Sequence, residues 1–301
     1  MTLSWRVRHL TTYTYDADVT DSLGIGHLVA RTLATQSVSS YAVTTEPPAS
    51  VLTHDTDYYG NLITFFQVTD PHTRLVIEAA SEVTVTEPVH SAAALAQRWE
   101  RARPLADPGA PGAWLAADFA LPSAAVDQVP EAAAYAEASF PPGRPIGEAV
   151  LDLVHRIHAD FDYDPTATTV TSRVKEVLAS RAGVCQDFAH LAIACLRSQG
   201  LAARYVSGYL ATEPAPGRER VLGADASHAW VAVWLPPTGS GEGASEAEWL
   251  AVDPTNDQRA GERYVTVAWG RDYGDVPPVK GVIFTEATES GLAVSVEVSP
   301  A

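Results

Sequence analysis

Three residues of this chain have side chains that together can carry out nucleophilic chemistry: Cys185, His228 and Asp253. A cysteine thiolate attacks carbonyl carbons, an imidazole exchanges protons with it, and a carboxylate holds the imidazole in one orientation. The three residues are far apart in the sequence, so the chemistry requires a fold that brings them together. The elements around each of them are therefore the first thing to predict.

Cys185 follows Gly183 and precedes a run of apolar positions at helical spacing. These positions are Phe188, Leu191, Cys195 and Leu196. Glycine can adopt backbone angles closed to other residues, so the pattern predicts a tight turn leading into a buried helix that begins at Cys185. Unpaired N–H groups and the helix dipole at such a position favour a thiolate. Free cysteine is also a common small core residue, and this segment alone leaves both interpretations open.

His228 opens a run that alternates like a strand, and a second extended run ends at Asp253. Residues 236–247 between them are rich in Pro, Gly and Ser. A symmetric hairpin about this loop places Asp253 opposite Trp230, two residues from His228 and on the same face. Diagonal neighbours in a sheet lie roughly 7–8 Å apart, which is within reach of longer side chains. The pattern predicts a cysteine acyl-transfer site.

The same residues lie in four short blocks whose order and spacing resemble the transglutaminase-like superfamily, specifically its bacterial members. The blocks are GVCQDF at 183–188, RYVSGY at 204–209, SHAW at 227–230 and DPTN at 253–256. The resemblance covers residues 146–258 well, and roughly the first ninety residues resemble the β-rich N-terminal domain that often precedes this core. It implies that Cys185 is the nucleophile, His228 the acid and base, and Asp253 the orienting carboxylate.

Three residues near Cys185 are further candidates for the site. Tyr163 stands where relatives often carry an aromatic residue that lines the site, and its hydroxyl can donate to an oxyanion beside the backbone N–H of Cys185. A packed aromatic at a helix end is an equally good interpretation of Tyr163. Gln186 and Asp187 can position the catalytic groups without contacting the substrate, or they can interact with the helix dipole. The negative charge of Asp187 opposes formation of a thiolate.

The pattern of elements predicts an α+β fold in four parts. Short strands rich in β-branched and aromatic residues predict a β-sandwich-like N-terminal domain over residues 1–88, with Gly24-Ile25-Gly26 as a turn. Residues 89–144 form a helical linker region. Residues 145–260 form a papain-like, transglutaminase-like catalytic core of helix plus antiparallel sheet. Residues 261–301 form a C-terminal β segment that is expected to return to the N-terminal sheet.

Composition excludes several classes of function. The 301 residues include 20 basic and 37 acidic side chains, so the net charge of −17 repels nucleic acid and anionic membranes. Cys185 and Cys195 lie about 15 Å apart along one predicted helix, which is too far for a disulfide. No CxxC pair is present for structural zinc, and His155 and His158 have no third ligand in view. We expect no cofactor and no metal.

Localisation and reaction type are less constrained. There is no apolar run long enough to span a membrane and no long apolar stretch at the N-terminus, which favours the reducing cytoplasm. The expected partner is a protein or peptide substrate whose amide acylates Cys185. Water would then release the acyl group as in a peptidase or amidase, whereas an amine would release it as in a transglutaminase, and the sequence does not separate these. A noncatalytic interaction module on the same fold is the alternative.

Overall fold

The computed structural model describes residues 1–212, 227–238 and 247–301. The α-helices are α1 (Ala92–Leu95), α2 (Ala113–Ala117), α3 (Pro130–Glu137), α4 (Ile146–Asp160), α5 (Val174–Ser180) and α6 (Cys185–Ser198). The strands are β1 (Thr2–Gly26), β2 (Gln36–Glu46), β3 (Val51–Thr56), β4 (Leu62–Val68), β5 (His72–Thr86), β6 (Asp162–Tyr163), β7 (Ala182–Gly183), β8 (Ala203–Leu210), β9 (His228–Leu235), β10 (Glu248–Asp253), β11 (Gln258–Arg259), β12 (Tyr264–Gly270), β13 (Val279–Thr285) and β14 (Ser290–Pro300).

The N-terminal strands form one antiparallel sheet around β1. The order is β2-β5-β1-β4-β3, and both β13 and β14 also pair with β1. The first half of β1 lies between β5 and β14, whereas its second half lies between β4 and β13. This change of partners along a strand of 25 residues curls the sheet.

The predicted turn at Gly24-Ile25-Gly26 is wrong, because these residues are the end of β1. The glycine at 24 serves a close approach rather than a turn. A Cβ atom on Gly24 would lie 2.1 Å from the ring of Phe66, which packs across the strand at this point. An interior glycine in a strand often marks such a contact.

A second sheet of five strands carries the predicted hairpin, in the order β11-β10-β9-β8-β12. Glu248 pairs with Leu235 and Val252 with Val231, which is the register predicted from symmetry about residues 236–247. Most of that loop, residues 239–246, lies outside the described residues. Helix α6 packs on one face of the sheet, and all its residues except Cys185 and Ser198 are buried.

The last forty residues contribute to both sheets. Strand β12 pairs with β8 in the five-stranded sheet, and then β13 and β14 return to β1 as the sequence predicted. The indole N–H of Trp5 donates to the backbone carbonyl of Glu262 at 2.8 Å, which ties the start of the chain to this crossing. The four-part division of the chain remains a prediction.

The α+β fold class is confirmed: a β-rich N-terminal region is followed by helices and an antiparallel core sheet. Helix α4 begins directly after Pro145, and its stripe of Val150, Leu153 and Ile157 is buried against the core as its periodicity predicts. Among the described residues, none of the helices has the length and apolar character needed to cross a bilayer.

Candidate active site

Helix α6 begins at Cys185, so the thiol lies in the first turn as predicted. Two contacts of Asp187 fix this turn: its Oδ2 accepts the backbone N–H of Val184 at 2.8 Å and the hydroxyl of Thr168 at 2.6 Å. A carboxylate at the third helical position that reaches back to the N-cap backbone stabilises a helix start. Asp187 therefore shapes the segment that presents the thiol.

The reason for Gly183 differs from the predicted one. Its backbone lies outside the left-handed region, so no special φ angle requires glycine there. Instead, a Cβ atom on Gly183 would lie 2.8 Å from Oδ2 and 2.9 Å from Cβ of Asp187. The glycine makes room for the carboxylate that holds the start of α6.

Tyr163 lies beside this turn because β6 pairs in parallel with β7, with Tyr163 opposite Gly183. Its side chain is more than half exposed. Partial burial and, secondarily, the nearby charge of Cys185 raise the pKa of Tyr163. The structure thus places the phenol close to the thiol and open to solvent.

Gln186 is buried, and its side-chain amide donates to the backbone carbonyl of Val170 at 3.1 Å. This bond joins the first turn of α6 to the loop before α5, as the Asp187–Thr168 bond does. Burial raises the pKa of Asp187, although the two hydrogen bonds it accepts act in the opposite direction. In this structure both side chains shape the backbone around Cys185.

His228 is the first residue of β9, and its Nε2 lies 2.7 Å from Oδ2 of Asp253 at the end of β10. The confirmed hairpin register produces this contact, as the sequence predicted. The imidazole also stacks on Trp230, two residues along the same strand face, with ring centroids 6.1 Å apart. The ring is therefore held at its edge by a carboxylate and on one side by an indole.

The carboxylate of Asp253 is fully buried and accepts hydrogen bonds on both oxygens. Oδ1 accepts the backbone N–H groups of Thr255 at 2.8 Å and Asn256 at 3.3 Å. Oδ2 accepts the side-chain amide of Asn256 at 2.6 Å and the hydroxyl of Tyr264 at 2.7 Å, in addition to His228. A buried carboxylate needs such donors to stay ionised.

These contacts shift the pKa values of His228 and Asp253 in opposite directions. Burial alone would lower the pKa of His228, but hydrogen bonds to Asp253 and Cys185, together with the charges of both, raise it to about 10. Burial likewise opposes ionisation of Asp253, yet hydrogen bonds and the charge of His228 hold its pKa below the ordinary value. The favoured state of His228 is an imidazolium paired with the Asp253 carboxylate and close to the sulfur of Cys185.

The geometry also selects the tautomer. A carboxylate accepts but does not donate, so Nε2 of His228 carries the proton that faces Asp253. In the neutral ring Nδ1 is then unprotonated and free to take a proton from another group. The influence of Cys185 on the pKa of His228 shows that the sulfur lies near this ring. This arrangement can activate a nucleophile and later return its proton.

Two histidines of α4 hold the turn that follows Asp253. Nδ1 of His158 donates to the backbone carbonyl of Thr255 at 2.9 Å, and Nδ1 of His155 lies 2.8 Å from the carboxylate of Asp257. A hydrogen bond to Asp257 and its charge raise the pKa of the exposed His155. In the part of the chain that the structure describes, no cluster of three or more His, Cys, Asp or Glu side chains is arranged to hold a metal.

Sequence reasoning missed two residues that support Asp253. Asn256 lies three residues after Asp253 in a turn-forming DPTN segment, where an Asx turn was a recognisable signal. Tyr264 comes from β12, two strands away from β9 in the sheet, and no local pattern connects it to Asp253. Only the assembled sheet brings its hydroxyl to the carboxylate.

Comparisons with known proteins agree with this geometry. Residues 5–84 match the bacterial transglutaminase-like N-terminal region, and residues 134–254 match the transglutaminase-like superfamily. An uncharacterized protein of Mycobacterium tuberculosis is 45% identical over 302 residues, covering 98% of this chain and 92% of the relative. An uncharacterized protein of Mycobacterium leprae is 33% identical over 300 residues, covering 98% and 99%.

Among solved structures, a candidate cysteine protease from Cytophaga hutchinsonii has a similar fold. The TM-score is 0.70 at 18% sequence identity, and the match covers 99% of this chain and 98% of the other. At this level of sequence identity, the similarity shows a shared fold only. The matches over both regions, the near-full-length relatives and the fold together show that this chain belongs to the transglutaminase-like superfamily.

Proposed function

We propose that the protein is a cysteine-dependent enzyme that cleaves or transfers the acyl group of peptide or glutamine side-chain amides. The observation that supports this most directly is the buried His228–Asp253 pair, in which the imidazole is held 2.7 Å from the carboxylate and lies near Cys185 at the start of α6. Membership of the transglutaminase-like superfamily agrees with that chemistry.

In the proposed reaction, the Cys185 thiolate attacks the amide carbonyl carbon and forms a carbon–sulfur bond. The carbonyl becomes an oxyanion, and its collapse breaks the carbon–nitrogen bond. The nitrogen leaves as an amine with the proton from the His228 imidazolium. Neutral His228 then takes a proton from the second nucleophile as that nucleophile attacks the thioester carbon. Collapse of this second oxyanion breaks the carbon–sulfur bond, releases the acyl group on the second nucleophile, and restores the thiolate beside the imidazolium. Asp253 stays ionised and keeps the ring oriented.

The oxyanion requires donors near the sulfur. The first N–H groups of a helix have no intrahelical acceptor, so those at the start of α6 are suited to this role. We assign the backbone N–H of Cys185 as one donor and the hydroxyl of Tyr163, which lies close to the thiol, as a second. Gln186 and Asp187 are proposed to position this segment and not to contact the substrate.

We propose water as the main acceptor. An amine competes with water at about 55 M only if a channel binds and orients it, since an oriented reactant gains a large effective concentration. Trp234 is nearly completely buried in the sheet, so it serves packing and does not line an open amine channel. A protein or peptide amide is thus the expected substrate, and hydrolysis the expected outcome. The cytoplasm, where a free thiol remains reduced, is the proposed compartment.

The test is labelling with an electrophilic peptide-amide mimic, followed by turnover of a peptide library analysed by mass spectrometry. Wild-type protein should be labelled at Cys185 and should release hydrolysed product, whereas Cys185→Ala should do neither while unfolding at a similar temperature. A folded wild-type protein that is neither labelled nor active would favour a noncatalytic interaction module. Addition of a millimolar primary amine gives the ratio of hydrolysed to amine-conjugated product, and a majority of conjugate would show that an amine is the main acceptor.

A further inference from the structure

A cavity of about 300 Å³ lies on the face of the core sheet opposite to α6. Residues with alternating positions on β9 and β10 form its floor, including Trp230, Ala232 and Trp249, and the segments after β1 and β5 cover it. Its size is at the lower end of the range for small-molecule sites, about 300–1,000 Å³. The walls are largely apolar, but Arg204 reaches into it from the start of β8.

The guanidinium of Arg204 is sandwiched between two indole rings. Its central carbon lies 4.0 Å from the ring centroid of Trp249 and 3.7 Å from that of Trp269. Arg31 contacts Trp269 as well, at 3.6 Å, and two guanidiniums this close to one ring must occupy its two faces. Both faces of the Arg204 guanidinium are therefore covered, and only its N–H edge remains for a ligand.

This cation has no counter-charge among the described residues. Its Nε is buried without a hydrogen-bond partner, and its cross-strand neighbour is Ala232. Burial and the positive charge of Arg31 both lower the pKa of Arg204, an electrostatic penalty that an anion would relieve. Glu248 also lines the cavity, but its carboxylate accepts hydrogen bonds from Nδ1 of His90 at 3.1 Å and the backbone N–H of Ser91 at 3.2 Å.

We propose that this cavity binds an organic carboxylate, whose charged group pairs with the N–H edge of Arg204 and whose apolar body packs on the indole rings. The planar fork of a guanidinium matches a carboxylate, and the apolar walls favour an organic body over a small inorganic ion. This site is separate from the proposed catalysis, and its test requires no turnover. It is nevertheless adjacent to the His228–Asp253 pair, because Trp230 and Tyr264 line the cavity and also contact His228 and Asp253.

The test is titration of the wild-type protein with benzoate, with neutral benzamide as the matched control and inorganic phosphate as a third ligand. Because Trp249 and Trp269 flank Arg204, binding should change tryptophan fluorescence in a saturable way and raise the melting temperature. Benzoate should bind at least ten-fold more tightly than benzamide. Equal affinity for the two would overturn the role of Arg204, and tighter binding of phosphate than of benzoate would overturn the assignment of an organic carboxylate.

Variants at two positions separate ligand recognition from folding. Arg204→Gln should lose benzoate binding. Ala232→Glu leaves Arg204 in place and puts a carboxylate directly across the strand from it, so it should reduce benzoate affinity at least ten-fold without lowering the melting temperature. Ala232→Gln has the same shape without the charge and should reduce affinity less. Wild-type affinity in Ala232→Glu would contradict the proposal even if Arg204→Gln fails to fold.

Discussion

Asp253→Asn replaces one oxygen of a buried carboxylate with an –NH₂ group. Both carboxylate oxygens accept hydrogen bonds: Oδ1 from two backbone N–H groups, and Oδ2 from His228, Asn256 and Tyr264. An –NH₂ group has no acceptor capacity, so in either amide orientation it faces donors at close range. We expect the imidazole to lose both its fixed orientation and its counter-charge.

The pKa of His228 sets the size of this effect. A rise from the ordinary 6.5 to about 10 corresponds to about 5 kcal/mol in favour of the protonated state, and Asp253 supplies part of it while Cys185 supplies the rest. Because the folded-state pKa is raised, this stabilisation is fully present below pH 6.5 and is lost as the pH rises through about 10. The difference in unfolding free energy between wild type and Asp253→Asn should therefore be largest near pH 6 and shrink towards pH 10.

Reactivity should change in parallel. In Asp253→Asn the burial that lowers the pKa of His228 is no longer opposed by the carboxylate, so the protonated ring is less favoured and supports a thiolate less well. We expect alkylation of Cys185 by iodoacetamide at pH 6, followed by mass spectrometry, to be at least ten-fold slower than in wild type. Cys195 is completely buried and serves as an internal unreactive thiol.

Asp57→Asn is the matched control. Asp57 faces Nε2 of His27 at 3.3 Å near the N-terminal sheet, so its replacement disrupts another His–Asp pair without contacting Cys185. It should lower stability and leave the alkylation rate unchanged. If Asp253→Asn retains the wild-type alkylation rate and the wild-type pH dependence of stability, Asp253 does not orient the imidazole.

Three further substitutions test residues around Cys185 and the His228–Asp253 pair. Cys195→Ala should cost about 1 kcal/mol, as loss of one buried methyl group does, and should leave alkylation of Cys185 unchanged; a large loss of alkylation would implicate the wrong thiol. Tyr264→Phe removes one donor from Asp253 and should lower the unfolding free energy by about 1.5–3 kcal/mol in chemical denaturation, with a smaller effect on alkylation than Asp253→Asn; an unchanged stability would argue against that hydrogen bond. Gly183→Ala should displace Asp187 and lower both the stability of the fold and the alkylation rate of Cys185. In the control Gly261→Ala the new Cβ would meet no atom within 4 Å, so neither quantity should change. Equal behaviour of the two variants would refute the steric role of Gly183.

The parts of the site that the sequence predicted correctly depend on local patterns. The start of α6 at Cys185 follows from apolar positions at helical spacing, and the His228–Asp253 contact follows from two extended runs around a loop of turn-forming residues. In each case residues close in sequence carry the signal. Recognition of four short blocks then supplied the roles, which neither pattern provides by itself.

The parts that were missed or wrong depend on contacts between distant segments. Gly183 is required by the carboxylate of Asp187, and Gly24 by the ring of Phe66, so a preference for special backbone angles misled the prediction in both places. Arg204 belongs to the RYVSGY block, and the sequence pattern assigns it no role of its own. In the structure, Trp249 and Trp269 from two other strands cover the two faces of its guanidinium. No local pattern in the sequence predicts these contacts.

These distant contacts matter for the proposed chemistry because they determine where the imidazole points. Asp253 is held by its own turn, by Tyr264 from β12 and, through the carbonyl of Thr255, by His158 from α4. A small displacement of any of these elements would move Oδ2 and with it the ring of His228. Changes outside the three proposed catalytic residues should therefore alter the reactivity of Cys185 while leaving the thiol, imidazole and carboxylate all present. A test of the site that replaces only those three residues would miss most of what orients it.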